Sequence, residues 1–271
     1  MVEFALSEEQ EMLRELAHEF ARDTVRPNAE HWENNSEFPV EAIAEAHSLG
    51  LTNLHIPAEY GGMGMGILDE VLVSEEFSWG DPGFSTAAYS NGLTIGPIIT
   101  GGTEEQKAEY LGRLVNEPKI AAYCVTEPGA GSDVASIQTT AVRDGDHYIL
   151  NGQKMWITGA GQADWFFVLA YTDKSAGYKG MSAFIVESSW DGVSLGKKEN
   201  NMGQRASDTR AVIFDDVHIP VENLIGGVEG MGWFNAMKAF DLSRPNVAAQ
   251  AVGCSRAAYE FALQYLSLIH I

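Results

Sequence analysis

Cysteine is scarce in this chain, which has only Cys124 and Cys254 among its 271 residues. Two cysteines so far apart form neither a disulfide framework nor the closely spaced pairs that bind zinc. The composition therefore excludes a disulfide-stapled secreted domain, and we expect no metal site. A reduced, intracellular setting fits this cysteine usage best.

Basic residues and long apolar runs are also few. Lys and Arg number 17 against 38 Asp and Glu, which gives a formal net charge of −21. Because this charge repels phosphate backbones, we expect no nucleic acid partner. No apolar stretch is long enough to span a bilayer, so we expect no membrane insertion. The N-terminal residues lack the basic and apolar regions of a signal peptide, and we expect a cytoplasmic protein.

The hydrophobic period changes along the chain. Capping-box spacing at Ser7 and Gln10 predicts the start of a first helix, and Pro27 predicts its end. The same spacing at Thr103 and Gln106 predicts a later helix start. Hairpin signals and strand-like runs follow, and then helix returns. This order lacks βαβ alternation, which argues against a Rossmann fold. It predicts an α+β multidomain protein. Its parts are an N-terminal all-α domain over residues 1–119, a central antiparallel β domain over 120–225, and the start of a C-terminal helical bundle over 226–271.

The most informative stretch is Tyr123-Cys-Val-Thr-Glu-Pro-Gly-Ala-Gly-Ser-Asp133, which has two glycines. Gly129 and Gly131 allow backbone N–H groups to converge on an anion, and Ser132 adds a hydroxyl donor. Val134 stands where a dinucleotide fingerprint needs its third glycine, and no lysine follows as in a Walker loop. On composition alone, an ordinary turn between strands is the better interpretation.

A second stretch, Asn151-Gly-Gln-Lys-Met-Trp-Ile-Thr-Gly159, has the pattern of a strand. On a strand, Trp156 and Thr158 point to the same face, where a ring and a hydroxyl would suit a flat cofactor. The alternative is a core tryptophan beside a strand-forming threonine. The residues alone favour that alternative.

Two further polar stretches follow, at residues 201–210 and 240–245. The first has the composition of a polar loop before a strand. The second puts Pro245 inside a predicted helix, where proline costs about 3 kcal/mol unless it lies in a first turn or a kink. Because this proline is costly and lies beside Asp241, Ser243 and Arg244, the segment is predicted to have a function.

Taken together, these stretches resemble the acyl-CoA dehydrogenase family, and among its members the medium-chain type. The resemblance covers nearly all of the 271 residues in the family's order. It is carried by the following stretches: Ile56 to Gly62, Gly102 to Lys107, Tyr123 to Asp133, Asn151 to Thr158, Asn201 to Arg210 and Phe240 to Pro245.

The resemblance implies FAD as the cofactor and assigns residues to it. One flavin-contacting strand and the pyrophosphate loop are expected to use Tyr123, Val125, Thr126, Gly131 and Ser132. The second flavin-contacting strand is expected to use Trp156, Ile157 and Thr158, with the Thr158 hydroxyl near flavin N5.

The resemblance also implies where the acyl-CoA substrate binds. Ser132 is expected to contact the coenzyme A arm as well. The thioester end is expected to meet the helical segment of Asp241, Leu242, Ser243 and Arg244.

No catalytic residue is expected within the chain. The family's base is a Glu, held either immediately before the arginine of the late helix or in the C-terminal domain. Ser243 occupies the first position here, so the base is expected in a C-terminal part that the chain lacks. The stretch from Leu266 to Ile271 also departs from the family pattern.

The reaction implied is α,β-dehydrogenation of a saturated acyl-CoA thioester to a trans-2-enoyl-CoA, as in fatty acid β-oxidation. Electrons are expected to pass to an electron-transfer flavoprotein, and the full-length protein is expected to be a homotetramer. The truncated chain alone is expected to be inactive. The alternatives are an acyl-CoA oxidase or flavin monooxygenase on the same fold, or a non-catalytic assembly subunit.

Overall fold

The structure is a computed structural model that describes residues 5–270. The chain begins with helices, continues as a single sheet, and returns to one long helix. The α-helices are α1 (Glu8–Phe20), α2 (Arg26–Asn35), α3 (Val40–Ser48), α4 (Ile67–Gly80), α5 (Pro82–Ala88), α6 (Gly92–Gly101), α7 (Glu104–Gln106), α8 (Gly112–Asn116) and α9 (Gly232–His270). The strands are β1 (Ile120–Cys124), β2 (Thr140–Asp144), β3 (His147–Thr158), β4 (Ala163–Tyr171), β5 (Met181–Glu187), β6 (Val193–Leu195) and β7 (Thr209–Pro220).

Both predicted capping boxes are present. The Ser7 hydroxyl accepts from the Gln10 N–H, and the Gln10 side chain accepts in return from the Ser7 N–H. Thr103 and Gln106 make the same reciprocal pair. Each pair satisfies two of the backbone donors that a helix start leaves free.

The prediction that Pro27 ends the first helix is wrong. The chain passes from α1 through a π-helical turn at Ala21–Val25 directly into α2, which ends at Asn35. Pro27 therefore lies in the first turn after the π-helical segment. Proline is tolerated there because the π-helical turn, in which the Arg26 N–H bonds the Ala21 carbonyl, already interrupts the regular i→i−4 hydrogen bonds.

The seven strands have the order β1-β4-β2-β3-β7-β6, and β5 pairs with β4. Most pairings are antiparallel, but β4 pairs in parallel with β1 and, at one residue, with β2. Strand β4 is buried on both faces, as its continuous apolar run requires. Trp165, Phe167 and Leu169 pack in a cluster with the helices, whereas Phe166 and Val168 pack within the sheet.

The long helix α9 closes the molecule against the N-terminal helices. The Ser74 hydroxyl of α4 donates to the Asn246 carbonyl, and the Ser78 hydroxyl donates to the Gln250 carbonyl. At Gly253 an added Cβ would lie 2.1 Å from the Glu75 carbonyl oxygen, so the two helices approach as closely as only glycine allows. This contact fixes one wall of the cavity described next.

None of the helices within residues 5–270 is long and apolar enough to cross a lipid bilayer.

Candidate active site

A cavity of about 390 Å³ lies between the sheet and the helices α4, α5 and α9. The sheet side supplies a set of residues that were predicted to bind the cofactor: Tyr123, Thr126, Trp156, Ile157 and Thr158. The helical side is formed largely by Met65, Ile67, Tyr89, Leu93, Phe240 and Leu242. The structure therefore brings the two sequence stretches around β1 and β3 together at one cavity.

The end of β3 presents Trp156 to this cavity in an unusual backbone conformation. Trp156 has a φ of +62°, which is rare for a large side chain, and its side chain is 56% exposed. The β3–β7 register shifts between Lys154 and Ile157, so a bulge breaks the strict alternation of the strand. Trp156, Ile157 and Thr158 consequently all line the cavity. The exposure of Trp156 rules out the alternative that it is a core tryptophan.

A buried ion pair holds the two cavity-lining strands together. Lys154 is fully buried, and its Nζ donates to Glu127 Oε1 at 2.9 Å and to the Val125 and Leu169 carbonyls. Burial lowers the pKa of the Lys154 ammonium, and the attraction of Glu127, which raises that pKa, offsets the effect only in part. Burial opposes ionisation of Glu127 as well, but Lys154 and the Thr139 hydroxyl bring the pKa of that carboxyl below its usual value.

This pair fixes the loop that follows β1 beside the end of β3. The Met155 N–H donates to the Thr126 carbonyl at 2.8 Å, which brings Thr126 next to Trp156. Val125, another predicted cofactor contact, is buried and does not line the cavity.

The glycine-rich loop, residues 127–133, lies outside this cavity and is open to solvent. Glu127 and Ala130 close it through a reciprocal pair of backbone hydrogen bonds. Within residues 5–270, the N–H groups of Gly131 and Ser132 have no acceptor. A Cβ at Gly131 would meet no atom within 4 Å. The loop therefore offers free donors of the kind that bind a pyrophosphate.

The predicted thioester segment of α9 is divided between two faces. Leu242 and Ser243 line the cavity, and the Ser243 hydroxyl donates to the Phe240 carbonyl at 3.3 Å. Asp241 and Arg244 form an exposed ion pair at 2.5 Å and do not line the cavity. Their role as substrate contacts stays a prediction, and so does that of Ser132.

Sequence reasoning missed a polar cluster on the helical wall. The Glu70 carboxylate of α4 lines the cavity with only 4% of the residue exposed. It accepts hydrogen bonds from His55 and from Asn246 of α9. In the sequence Glu70 looked like an ordinary acidic residue of a helix first turn, and no spacing rule connects it with Asn246.

A second, polar cleft adjoins the cavity and shares Thr86 and Thr158 with it. It is lined by the polar stretch that begins at Asn201, and by Ser207, whose buried hydroxyl has no partner among the described residues. An unsatisfied buried hydroxyl is costly, and a polar ligand in the cleft would satisfy it. Acidic, histidine and cysteine side chains form no potential metal cluster anywhere in the described part of the chain.

Comparison with known proteins connects this arrangement to one family. Residues 7–118 match the N-terminal domain of acyl-CoA dehydrogenases, and residues 122–217 match the middle domain. The short-chain specific acyl-CoA dehydrogenase of Clostridium acetobutylicum is 42% identical over 98% of the chain and 70% of the relative. The chain belongs to the acyl-CoA dehydrogenase family. A probable medium-chain specific mitochondrial member from Caenorhabditis briggsae is 49% identical over 93% of the chain, but the match spans only 62% of that relative.

Solved structures support the same assignment. Butyryl-CoA dehydrogenase from Megasphaera elsdenii superimposes with a TM-score of 0.94 at 38% identity, covering 97% of this chain and 70% of that one. A chain in a structure described as the electron transferring flavoprotein of Acidaminococcus fermentans also reaches 0.94, at 41% identity and the same coverage. A Mycobacterium smegmatis glutaryl-CoA dehydrogenase solved with FADH2 reaches 0.89 at 30% identity, over 96% and 66% of the two chains. The predicted fold class and the prediction of an FAD-using family are confirmed.

Proposed function

We propose that this protein binds FAD and an acyl-CoA and takes part in α,β-dehydrogenation of the acyl group to a trans-2-enoyl-CoA. The observation that carries the proposal is the exposed, strained Trp156 beside Thr158 at one wall of the cavity. A tryptophan side chain left 56% exposed at a β-bulge costs free energy unless a flat ligand covers it. The glycine-rich loop with free N–H groups supplies a matching anion site.

The roles of the cavity residues follow from their chemistry. Bound FAD would accept the hydride that leaves the β-carbon of the acyl group. Trp156 would cover one face of the ring system, and the hydroxyl of Thr158, which lines the same cavity, would hydrogen-bond a ring atom. The Gly131 and Ser132 N–H groups would bind the pyrophosphate, and Leu242 and Ser243 would border the acyl group.

We propose that the base that removes the α-proton lies outside these residues, in a C-terminal part. The Ser243 hydroxyl donates to a backbone carbonyl, and an unassisted hydroxyl is too weak a base at neutral pH. The remaining predictions are proposals too: the division at residues 119/120 and 225/226, an electron-transfer flavoprotein as acceptor, a homotetramer of the full-length protein, and a role in fatty acid β-oxidation. The cytoplasmic location stays a prediction.

The proposed FAD site is tested at the glycine-rich loop. Because a Cβ at Gly131 meets nothing in the protein, Gly131→Val should leave the fold intact and act only on a ligand that approaches the loop. We expect FAD affinity, measured by flavin fluorescence quenching, to fall about tenfold or more, which corresponds to roughly 1.4 kcal/mol.

Gly112→Val is the matched control, since this position of α8 is equally open and lies outside the loop and the cavity. Its FAD affinity should equal that of the unchanged protein. Unchanged affinity in Gly131→Val would remove the pyrophosphate assignment. Failure of the unchanged protein to bind FAD would remove the proposed function.

A further inference from the structure

The largely apolar cavity carries one buried polar cluster on its helical wall. Glu70 Oε2 accepts from Asn246 Nδ2 at 3.0 Å, and Glu70 Oε1 contacts His55 Nδ1. Glu70 is 4% exposed, Asn246 is 6% exposed, and the His55 side chain is 15% exposed. All three line the cavity together with Tyr89, whose hydroxyl donates to the Glu70 backbone carbonyl.

The cluster leaves two buried polar atoms without partners. Among the described residues, neither His55 Nε2 nor Asn246 Oδ1 has a hydrogen-bond partner. Such an atom costs about 1–3 kcal/mol when it stays unsatisfied, so a pair of them on residues that line the cavity indicates that something polar completes the cluster. A purely alkyl acyl chain could not do so.

The missing partner of Asn246 must be a hydrogen-bond donor. Asn246 Nδ2 is directed to Glu70, so its free Oδ1 only accepts. His55 Nδ1 contacts the other oxygen of the same carboxylate. The carboxylate oxygens each retain a lone pair. The free positions on Asn246 and Glu70 are therefore acceptors that lie beside the Glu70 carboxylate.

We propose that the Glu70–Asn246–His55 cluster is a specificity site that selects an acyl group with a hydroxyl or amino group on its chain and rejects one with a distal carboxylate. The proposal rests on the proposed function, since it assigns the substrate class of the same cavity. A distal carboxylate would add a second negative charge next to a buried one, and neither Lys nor Arg is among the residues that line the cavity.

Binding measurements test the proposal without relying on turnover. Isothermal titration of the FAD-loaded protein should compare hexanoyl-CoA, its ω-hydroxy and ω-amino analogues, and adipyl-CoA, with the same set built on octanoyl chains. In at least one set we expect the donor-bearing thioester to bind about tenfold tighter than the alkyl one, as a hydrogen bond to a charged group would provide. The ω-carboxy thioester should bind weakest.

Two variants at the cluster separate specificity from folding. Glu70→Gln keeps the side-chain size and removes the charge, so the donor preference should fall severalfold and the ω-carboxy thioester should gain affinity. Asn246→Leu removes the free acceptor and should reduce the donor preference even if Glu70→Gln fails to fold. Glu75→Gln, on the same helix but outside the cavity, should keep both preferences.

The outcomes distinguish the two proposals. Equal affinity of alkyl and donor-bearing thioesters, or a preference that survives both cluster variants, would overturn the specificity site alone. Tight binding of the ω-carboxy thioester by the unchanged protein would overturn it as well. Failure of every thioester to bind would overturn the proposed function and the specificity site with it.

Discussion

The Lys154–Glu127 pair determines how firmly the loop after β1 is held beside Trp156. A partner removed from a buried pair leaves the other charge uncompensated, so Glu127→Gln should cost about 3 kcal/mol of unfolding free energy at neutral pH. The pKa of Glu127 lies below its usual 4.5, so its contribution is complete above that value and is lost as the pH falls through the lowered pKa.

Denaturant unfolding at several pH values checks this expectation. The difference in unfolding free energy between the unchanged protein and Glu127→Gln should be largest near pH 7 and should shrink as the pH falls below 4.5. Glu104→Gln is the control: its side chain is 74% exposed, and the substitution should leave the unfolding free energy nearly unchanged at every pH. A difference that stays constant with pH would contradict the argument.

Thr158 carries the second residue-level prediction. Thr158→Val keeps the branched shape at the end of β3 and removes only the hydroxyl, so the melting temperature should change little. If the hydroxyl bonds the flavin, the visible flavin spectrum should shift and the reduction of bound FAD by acyl-CoA should slow. Identical spectra for the two proteins would show that the hydroxyl does not reach the flavin.

Residue identities were easier to predict than residue environments. The type and spacing of Trp156 and Thr158 alone favoured a core tryptophan, and it was the family resemblance of the stretch Asn151 to Thr158 that connected them with a flat ligand. The positive φ of Trp156 was not predictable, because the bulge depends on how β7 pairs with β3. Glu70 was missed because its partners His55 and Asn246 are 15 and 176 residues away.

At the scale of elements, the approach of α9 to α4 at Gly253 gives an unambiguous prediction. In an open helix, Gly→Ala adds about 1 kcal/mol of helix propensity. At Gly253 the new methyl group would lie 2.1 Å from the Glu75 carbonyl oxygen, so Gly253→Ala should instead destabilise by about 2 kcal/mol or more.

Chemical denaturation of the variant provides the measurement, with Gly112→Ala as the matched control. No atom lies within 4 Å of a Cβ at Gly112, so that variant should be neutral or slightly stabilised. Hydrogen exchange in Gly253→Ala should rise in α4 and α9 before it rises in the sheet. A stabilised Gly253→Ala would mean that the two helices are farther apart than described.

Element starts were predictable where the chemistry is local. The Ser7 and Thr103 boxes need only a residue and its neighbour three positions later, and both form as predicted. The continuation of the helix past Pro27 was not predictable, because it requires a π-helical turn that no local sequence signal indicates. The parallel pairing of β1 with β4 was also hidden, since it joins segments separated by β2 and β3.

At the scale of the whole molecule, the prediction concerns the part of the protein that holds the catalytic base. A positioned general base contributes about 10²–10⁴-fold in rate, so we expect slow flavin reduction by acyl-CoA in these 271 residues. A version extended by a C-terminal domain of the family should be faster by a factor in that range. Stopped-flow absorbance of the bound flavin measures both.

Comparable rates in the two proteins would show that the base lies within the chain. Glu70 would then be the carboxylate to examine, because it is the acidic residue that lines the cavity. Glu70→Gln should in that case abolish reduction with every thioester, whatever its distal group. Slow reduction that is insensitive to Glu70→Gln would support a base outside the chain.

The contact between α4 and α9 also bears on how the protein is made. Ser74 and Ser78 bond to carbonyl groups 172 residues later in the chain. On a ribosome that adds about 5–20 residues per second, the N-terminal helices would wait roughly ten seconds or more for the segment that covers them. Contacts of such long sequence separation also slow folding. During synthesis, the apolar face of α4 is therefore a surface that a chaperone would have to shield.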